Sequence, residues 1–166
     1  DLEVPLPGRH QARNVALAVE VLGLLPEEYR PRADELRRGI GTVHWPGRLQ
    51  VERIGGLTWT FDVAHNEAGA AALGEWLDKI DLPRPRVGLV AILSDKDWRR
   101  MLRELTGRLD AIVLTVAPSS PMSRRWDPNE AARWITGADN ASRPVLVVLE
   151  CAEALRGAGR LADGGS

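Results

Sequence analysis

Cysteine is nearly absent: the single Cys151 in 166 residues cannot close an internal disulfide. That excludes a disulfide-stapled scaffold and makes a reduced, cytoplasmic setting the default expectation. Charge of one sign is lacking too. Lys and Arg total 22 against 23 Asp and Glu, a formal net charge of -1, so no global basic field holds the chain on nucleic acid or an acidic membrane. Long hydrophobic runs are missing as well. Arg, Asp or Glu interrupts every apolar stretch before the roughly 20 residues needed to span a bilayer, and no basic start leads into an apolar segment of signal-peptide type. Neither nucleic acid nor membrane is expected as a partner.

Catalytic signatures are scarce. There is no GxxxxGK(S/T) phosphate loop and no GxGxxG fingerprint. CxxC and HExxH do not occur, so a zinc site is not expected, and GxSxG is absent with its nucleophile elbow. The three histidines, His10, His44 and His65, fall in different elements, which argues against a metal cluster. The first residue is Asp, and "DLEVPLPG" reads as a Pro-punctuated, extended entry, as if the chain were an excised piece. The Gly-rich end "GRLADGGS" reads as a frayed or cut edge.

What is present alternates in period. Val15, Ala16, Ala18, Val19, Leu22 and Leu25 recur at helical spacing within residues 10–25 until Pro26, and a shorter helix is predicted over 32–40, entered from Pro31. "RLQVERI" and "LTWTFDVA" flank Gly55-Gly56 and predict an antiparallel hairpin. Helical and Val/Ile/Leu-rich stretches then alternate to the end. Strands of that composition are buried on both faces, so the spacing predicts a Rossmann-like α/β/α three-layer domain with a mostly parallel sheet. The composition shifts near residues 41–47. A helical lead-in over 1–40 and an α/β body over 41–166 are therefore expected.

Sheets of this kind bind ligands at the carboxyl ends of their strands. "DVAHN" puts Asp62, His65 and Asn66 at one such end, just before a helix. A carboxylate there can accept two hydrogen bonds from a ribose diol, and the helix start favours a phosphate. On spacing alone the commoner fate of Asp or Asn at such a place is a helix cap. "GRHQARN" presents His10, Gln11 and Asn14 at the start of the first helix, where an amide can pair with an adenine edge or merely be solvated. Arg48 of "WPGR" follows a Pro-Gly turn, suited to a phosphate and equally to plain solvent. In "SDKDW", Asp97 is placed to cap a helix. "SRRW" is a small basic spot of the kind that is usually a solvated face, and the six tryptophans fit a core or a domain face better than a base-stacking platform.

In order, "GRHQARNVALAVEVL", "WPGRLQ", "DVAHNEAGAAAL" and "SDKD" resemble the carboxyl-terminal portion of the Mur-ligase superfamily, most closely its folylpolyglutamate synthase/dihydrofolate synthase branch. The resemblance runs from about Pro5 to Leu155. It implies that residues 1–40 are the tail of a central P-loop domain and 41–166 the carboxyl-terminal domain, short of its usual last strand. The two domains of such enzymes close on ATP. A substrate carboxylate becomes an acyl phosphate, which the amine of an incoming amino acid, glutamate in the folate branch, converts to an amide. The resemblance further implies that Asn14 contacts adenine with Gln11 beside it, that Arg48 and Asp62 hold the phosphate–ribose region, and that His65 and Asn66 line the catalytic cleft. ATP, Mg²⁺, folate or dihydropteroate, and glutamate are the implied ligands. The phosphate loop, the Mg²⁺ ligands and the pterin-binding segment would lie upstream of Asp1, so this chain alone is expected to ligate nothing. Val63 and Glu67 stand where the family usually has Gly and Pro. A noncatalytic module descended from such a ligase, or a peptidoglycan-precursor or cyanophycin-type ligase, is the alternative.

Overall fold

Strand and helix periods sort the chain as their composition directs. The computed structural model describes residues 3–138 and 143–164; Asp1, Leu2 and the last two residues of the Gly-rich end lie outside them. Helix α1 spans Arg9–Gly23 and α2 Ala33–Gly41, with a short 3-10 turn at Glu27–Tyr29. Strands β1 (Gln50–Ile54) and β2 (Leu57–Phe61) follow, then α3 (Glu67–Lys79), β3 (Val87–Val90), α4 (Trp98–Thr106) and β4 (Ala111–Leu114). A second 3-10 turn (Met122–Arg124), α5 (Pro128–Ala138), β5 (Val145–Val147) and α6 (Cys151–Ala162) complete the order. Every predicted helix and strand is present, with ends shifted by up to a few residues in either direction. Neither 3-10 turn was expected, because three residues are too few to show a period.

Two compact units arise: Asp1–Glu52 with Thr60–Val63, and Arg53–Trp59 with Ala64–Ser166. The antiparallel hairpin of β1 and β2 is cut by this division, its base in the first unit and its tip in the second. Gly55 and Gly56 at the tip have φ of 61° and 83°, the paired positive angles of a tight hairpin turn.

In the second unit β3, β4 and β5 form a parallel sheet in that order, with Val87 opposite Ala111 and Ile112 opposite Val145. Central strand β4 is buried throughout, as its unbroken Ala-Ile-Val-Leu run requires. Because side chains alternate along a strand, Ile112 and Leu114 face a cluster with Leu77 of α3, Leu102 of α4 and Ile135 of α5, while Val113 faces Ala154 and Ala158 of α6. Helices on both faces give the α/β/α layering. Trp98, Trp126 and Trp134 meet edge to face inside the first cluster, so these three pack the core.

Strand β2 departs from the expectation drawn from "DVAHN". It belongs to the two-stranded hairpin and not to the parallel sheet. The Gly-Gly turn returns the chain to β1 after two residues, which makes the pair antiparallel. Asp62 therefore follows a hairpin strand, and the carboxyl-edge rule does not apply to it.

Candidate functional site

Three separated motifs converge on one residue of the first unit. Leu49 is 2 % exposed and takes a left-handed backbone with φ 48°, which a leucine adopts only where its surroundings impose it. Its N–H donates to Asp62 Oδ2 at 3.0 Å. Gly47, with φ 74°, accepts at its carbonyl from the Val63 N–H at 2.9 Å and donates its own N–H to Gln50 Oε1 at 2.9 Å. Gly8, just before α1, lies against the same leucine: a Cβ there would stand 3.2 Å from Leu49 Cδ1 and 2.7 Å from the His10 ring. The "GRHQARN", "WPGR" and "DVAHN" segments are thus joined through Leu49, Gly8 and Asp62.

Arg48 sits between the two positive-φ residues. It is half-buried, and its guanidinium lies 5.6 Å from the centre of the Trp45 ring. Among the described residues no carboxylate or carbonyl takes its five donors. Arg124 by contrast grips Asp95, and Arg108 grips Asp78. A half-buried guanidinium on a fixed turn is a binding group for a planar or tetrahedral oxyanion.

At the start of α1 the Gln11 amide donates to His10 Nε2 at 3.0 Å and accepts from Asn14 Nδ2 at 3.3 Å. Gln11 is buried and Asn14 exposed. The inner amide is therefore occupied in orienting the outer one, which is exposed.

In the second unit Asn66 is the N-cap of α3, its Oδ1 accepting from the Gly69 N–H at 2.8 Å, and Asp97 caps α4 through the Arg100 N–H. His65 is exposed. The "SRRW" spot is not merely solvated. Arg124 holds Asp95 by three hydrogen bonds, and Lys96 pairs with the same carboxylate at 3.1 Å; the two cations, Lys96 first, keep the Asp95 carboxyl below its ordinary range. An open cavity of about 670 Å³ beyond β4 and β5 is lined by Val116, Arg125, Trp126, Asp127, Glu150 and Cys151 among others. The N–H groups opening α5 and α6 there are already taken by Asp127 and Glu150, so it offers an anion little. Among the described residues no group of three His, Cys, Asp or Glu could hold a metal ion.

Sequence reasoning missed Leu49 and Trp45. Nothing in a leucine's identity announces a left-handed backbone. A tryptophan three residues before an arginine has no helical or strand period to mark the pair.

Residues 47–166 match the family described as Mur ligase, glutamate ligase domain. The dihydrofolate synthase/folylpolyglutamate synthase of Mycobacterium tuberculosis is 38% identical over 119 residues, 69% of this chain and 24% of the relative. The folylpolyglutamate synthase of Lacticaseibacillus casei is 33% identical over 124 residues, 73% of this chain and 28% of the relative. In three dimensions the chain is similar to Mycobacterium tuberculosis folylpolyglutamate synthase solved in complex with ADP, with a TM-score of 0.80 and 32% identity, covering 99% of this chain and 35% of that one. The chain thus spans about a quarter of the length of these curated relatives.

Proposed function

The chain belongs to the Mur ligase, glutamate ligase domain family, and we propose that it is the ATP-contacting carboxyl-terminal part of an ATP-dependent ligase that adds glutamate to a folate through an acyl phosphate. Two of its relatives are named as folylpolyglutamate synthases, one of them also as a dihydrofolate synthase. The observation that supports the reading best is Arg48, whose half-buried guanidinium has no acidic partner among the described residues and stands on a turn tied to Asp62.

In this reading Arg48 and Asp62 hold the phosphate–ribose part of ATP. Asn14, steadied by Gln11, takes the adenine edge. Asn66 and His65, at the start of α3, line the cleft, and His65 is the candidate catalytic group. Residues 1–40 are the tail of a central P-loop domain and 41–166 the carboxyl-terminal domain. ATP supplies the phosphoryl group that makes a carboxylate reactive toward an amine. An acyl phosphate survives only where water is kept out, so these residues act by closing over the nucleotide. Charge grows on the transferring phosphoryl group, and a fixed guanidinium stabilises it without reorganising. Mg²⁺ accompanies such transfers, and its ligands lie elsewhere in this proposal.

The complete natural protein should incorporate glutamate into a reduced folate or dihydropteroate with consumption of ATP. Arg48→Ala should raise the KM for ATP about tenfold, the worth of a hydrogen bond to a charged group, and leave the melting temperature within about 2 °C, as is usual for a surface change. Steady-state kinetics with an unchanged ATP KM would remove Arg48 from the site. No ATP-dependent glutamate incorporation at all would favour a noncatalytic module.

A further inference from the structure

We infer that His10 and Gln11 are positioning residues that set base selectivity, by fixing which way round the Asn14 amide stands. The inference deepens the reading above and rests on it. The three side chains form one hydrogen-bonded line at the start of α1. Gln11 Nε2 lies 3.0 Å from His10 Nε2, and Asn14 Nδ2 donates to Gln11 Oε1 at 3.3 Å. An amide nitrogen only donates, so His10 Nε2 is the acceptor and the ring carries its proton on Nδ1. Gln11 and Asn14, one helical turn apart, share a face of the helix.

The line is held from its inner end. Gln11 is 6 % exposed, and turning its amide over would face its oxygen to the His10 lone pair and its nitrogen to that of Asn14. Both hydrogen bonds would be lost together, at the full cost of buried polar groups left unmade. Gly8 in turn seats His10. At φ 98° it has no Cβ where one would stand 2.7 Å from His10 Cε1 and 2.9 Å from Nδ1, and its carbonyl accepts the Gln11 N–H at 3.0 Å. Asn14 is exposed. With its nitrogen committed toward Gln11, it offers a base Oδ1 and the second Nδ2–H. Adenine answers that order: its exocyclic amino group donates to Oδ1 and the adjacent ring nitrogen accepts from Nδ2. Hypoxanthine and guanine carry a carbonyl oxygen where adenine has the amino group, and that oxygen would meet Oδ1 lone pair to lone pair. With phosphate and ribose held by Arg48 and Asp62 in the reading above, the base cannot turn over to escape the mismatch.

Calorimetric titration of the complete natural protein with Mg-ATP and with Mg-inosine triphosphate, whose hypoxanthine inverts the donor and acceptor of this edge, tests the inference through the ratio of the two Kd values. The natural protein should prefer ATP by about tenfold or more, the discrimination of one bidentate amide–base pair. His10→Ala lets the Gln11 amide stand either way, so the preference should fall below about threefold. His10→Glu places a pure acceptor where Nε2 stood, in a first helical turn that favours a carboxylate, and should bring the ratio back to within about twofold of wild type. Gln11→Met fills the same buried space without an amide and should lower the ratio as His10→Ala does. A wild-type ratio near unity, a ratio that neither His10→Ala nor Gln11→Met moves, or no recovery with Glu would overturn the inference. A residue that merely supports the helix would weaken both nucleotides alike and leave the ratio where it was. If Asn14→Ala changes neither Kd, the base does not rest on Asn14, and the adenine part of the reading above falls together with this inference.

Discussion

Gly47 and Gly55 share a positive φ, 74° and 61°, yet their surroundings differ. A Cβ on Gly47 meets Val63 Cγ1 at 2.9 Å, and Val63 is itself bonded to the Gly47 carbonyl, so neither partner can step aside cheaply. A Cβ on Gly55 meets nothing within 4 Å. Gly47→Ala should therefore cost about 1–3 kcal/mol, strain and crowding together. Gly55→Asn should be close to neutral, since Asn-Gly is the preferred sequence of this turn. Urea unfolding of both variants checks the contrast, and equal losses would mean that conformation alone, without the Val63 contact, sets the cost. At this scale the sequence was half informative. "DVAHN" was legible as unusual, because an acid and two polar residues end an apolar strand. Which N–H takes the Asp62 carboxylate was not legible: the partner lies 13 residues away, across a hairpin, at a leucine.

Among the elements, helix caps followed local chemistry closely. Asn66 and Asp97 stand at the N-caps of α3 and α4, where short polar side chains reach the third residue's N–H. Glu150 does the same for α6 with a longer arm, accepting from Ala152 and Glu153 at 3.0 and 2.7 Å. Those two N–H groups, Ala152 first, hold its carboxyl below the ordinary range. A carboxyl depressed on folding favours the native state above its unfolded pKa of about 4.3, and that contribution fades as pH falls through the lower folded value. Glu150→Gln should thus lower the melting temperature at pH 6 and matter progressively less toward pH 3. A gap between wild type and variant that widened on acidification would refute the sign. Helix α1 was less legible as an element. Its apolar spacing implied a buried stripe, but Gln11 is its one buried residue among those described, while Leu17 and Val21 are 66% and 52% exposed. Periodicity fixes which residues share a face and says nothing of what covers it.

On the scale of the whole molecule, alternation of period and the continuous Val/Ile/Leu strands were enough for the α/β/α layering, since a strand apolar on both faces must lie between two layers. The place of the hairpin outside the parallel sheet was not fixed by composition, because the strict alternation of Leu57, Thr58, Trp59, Thr60 and Phe61 marks a strand with two unlike faces without saying which sheet it joins. Function follows a similar division. In the proposed reading the groups the chain brings to a nucleotide are one guanidinium, one amide and a short polar turn, while no GxxxxGK(S/T) loop occurs in this sequence and no metal-holding group of three occurs among the described residues. A guanidinium on phosphate contributes about 1.5–3 kcal/mol in favourable cases. Millimolar affinity already requires about 4 kcal/mol beyond the cost of immobilising the ligand. The 166-residue chain by itself should accordingly bind Mg-ATP with a Kd of about 1 mM or weaker, as read by isothermal titration calorimetry. Micromolar binding that survives Arg48→Ala would show a nucleotide site complete within this chain and built on residues other than these.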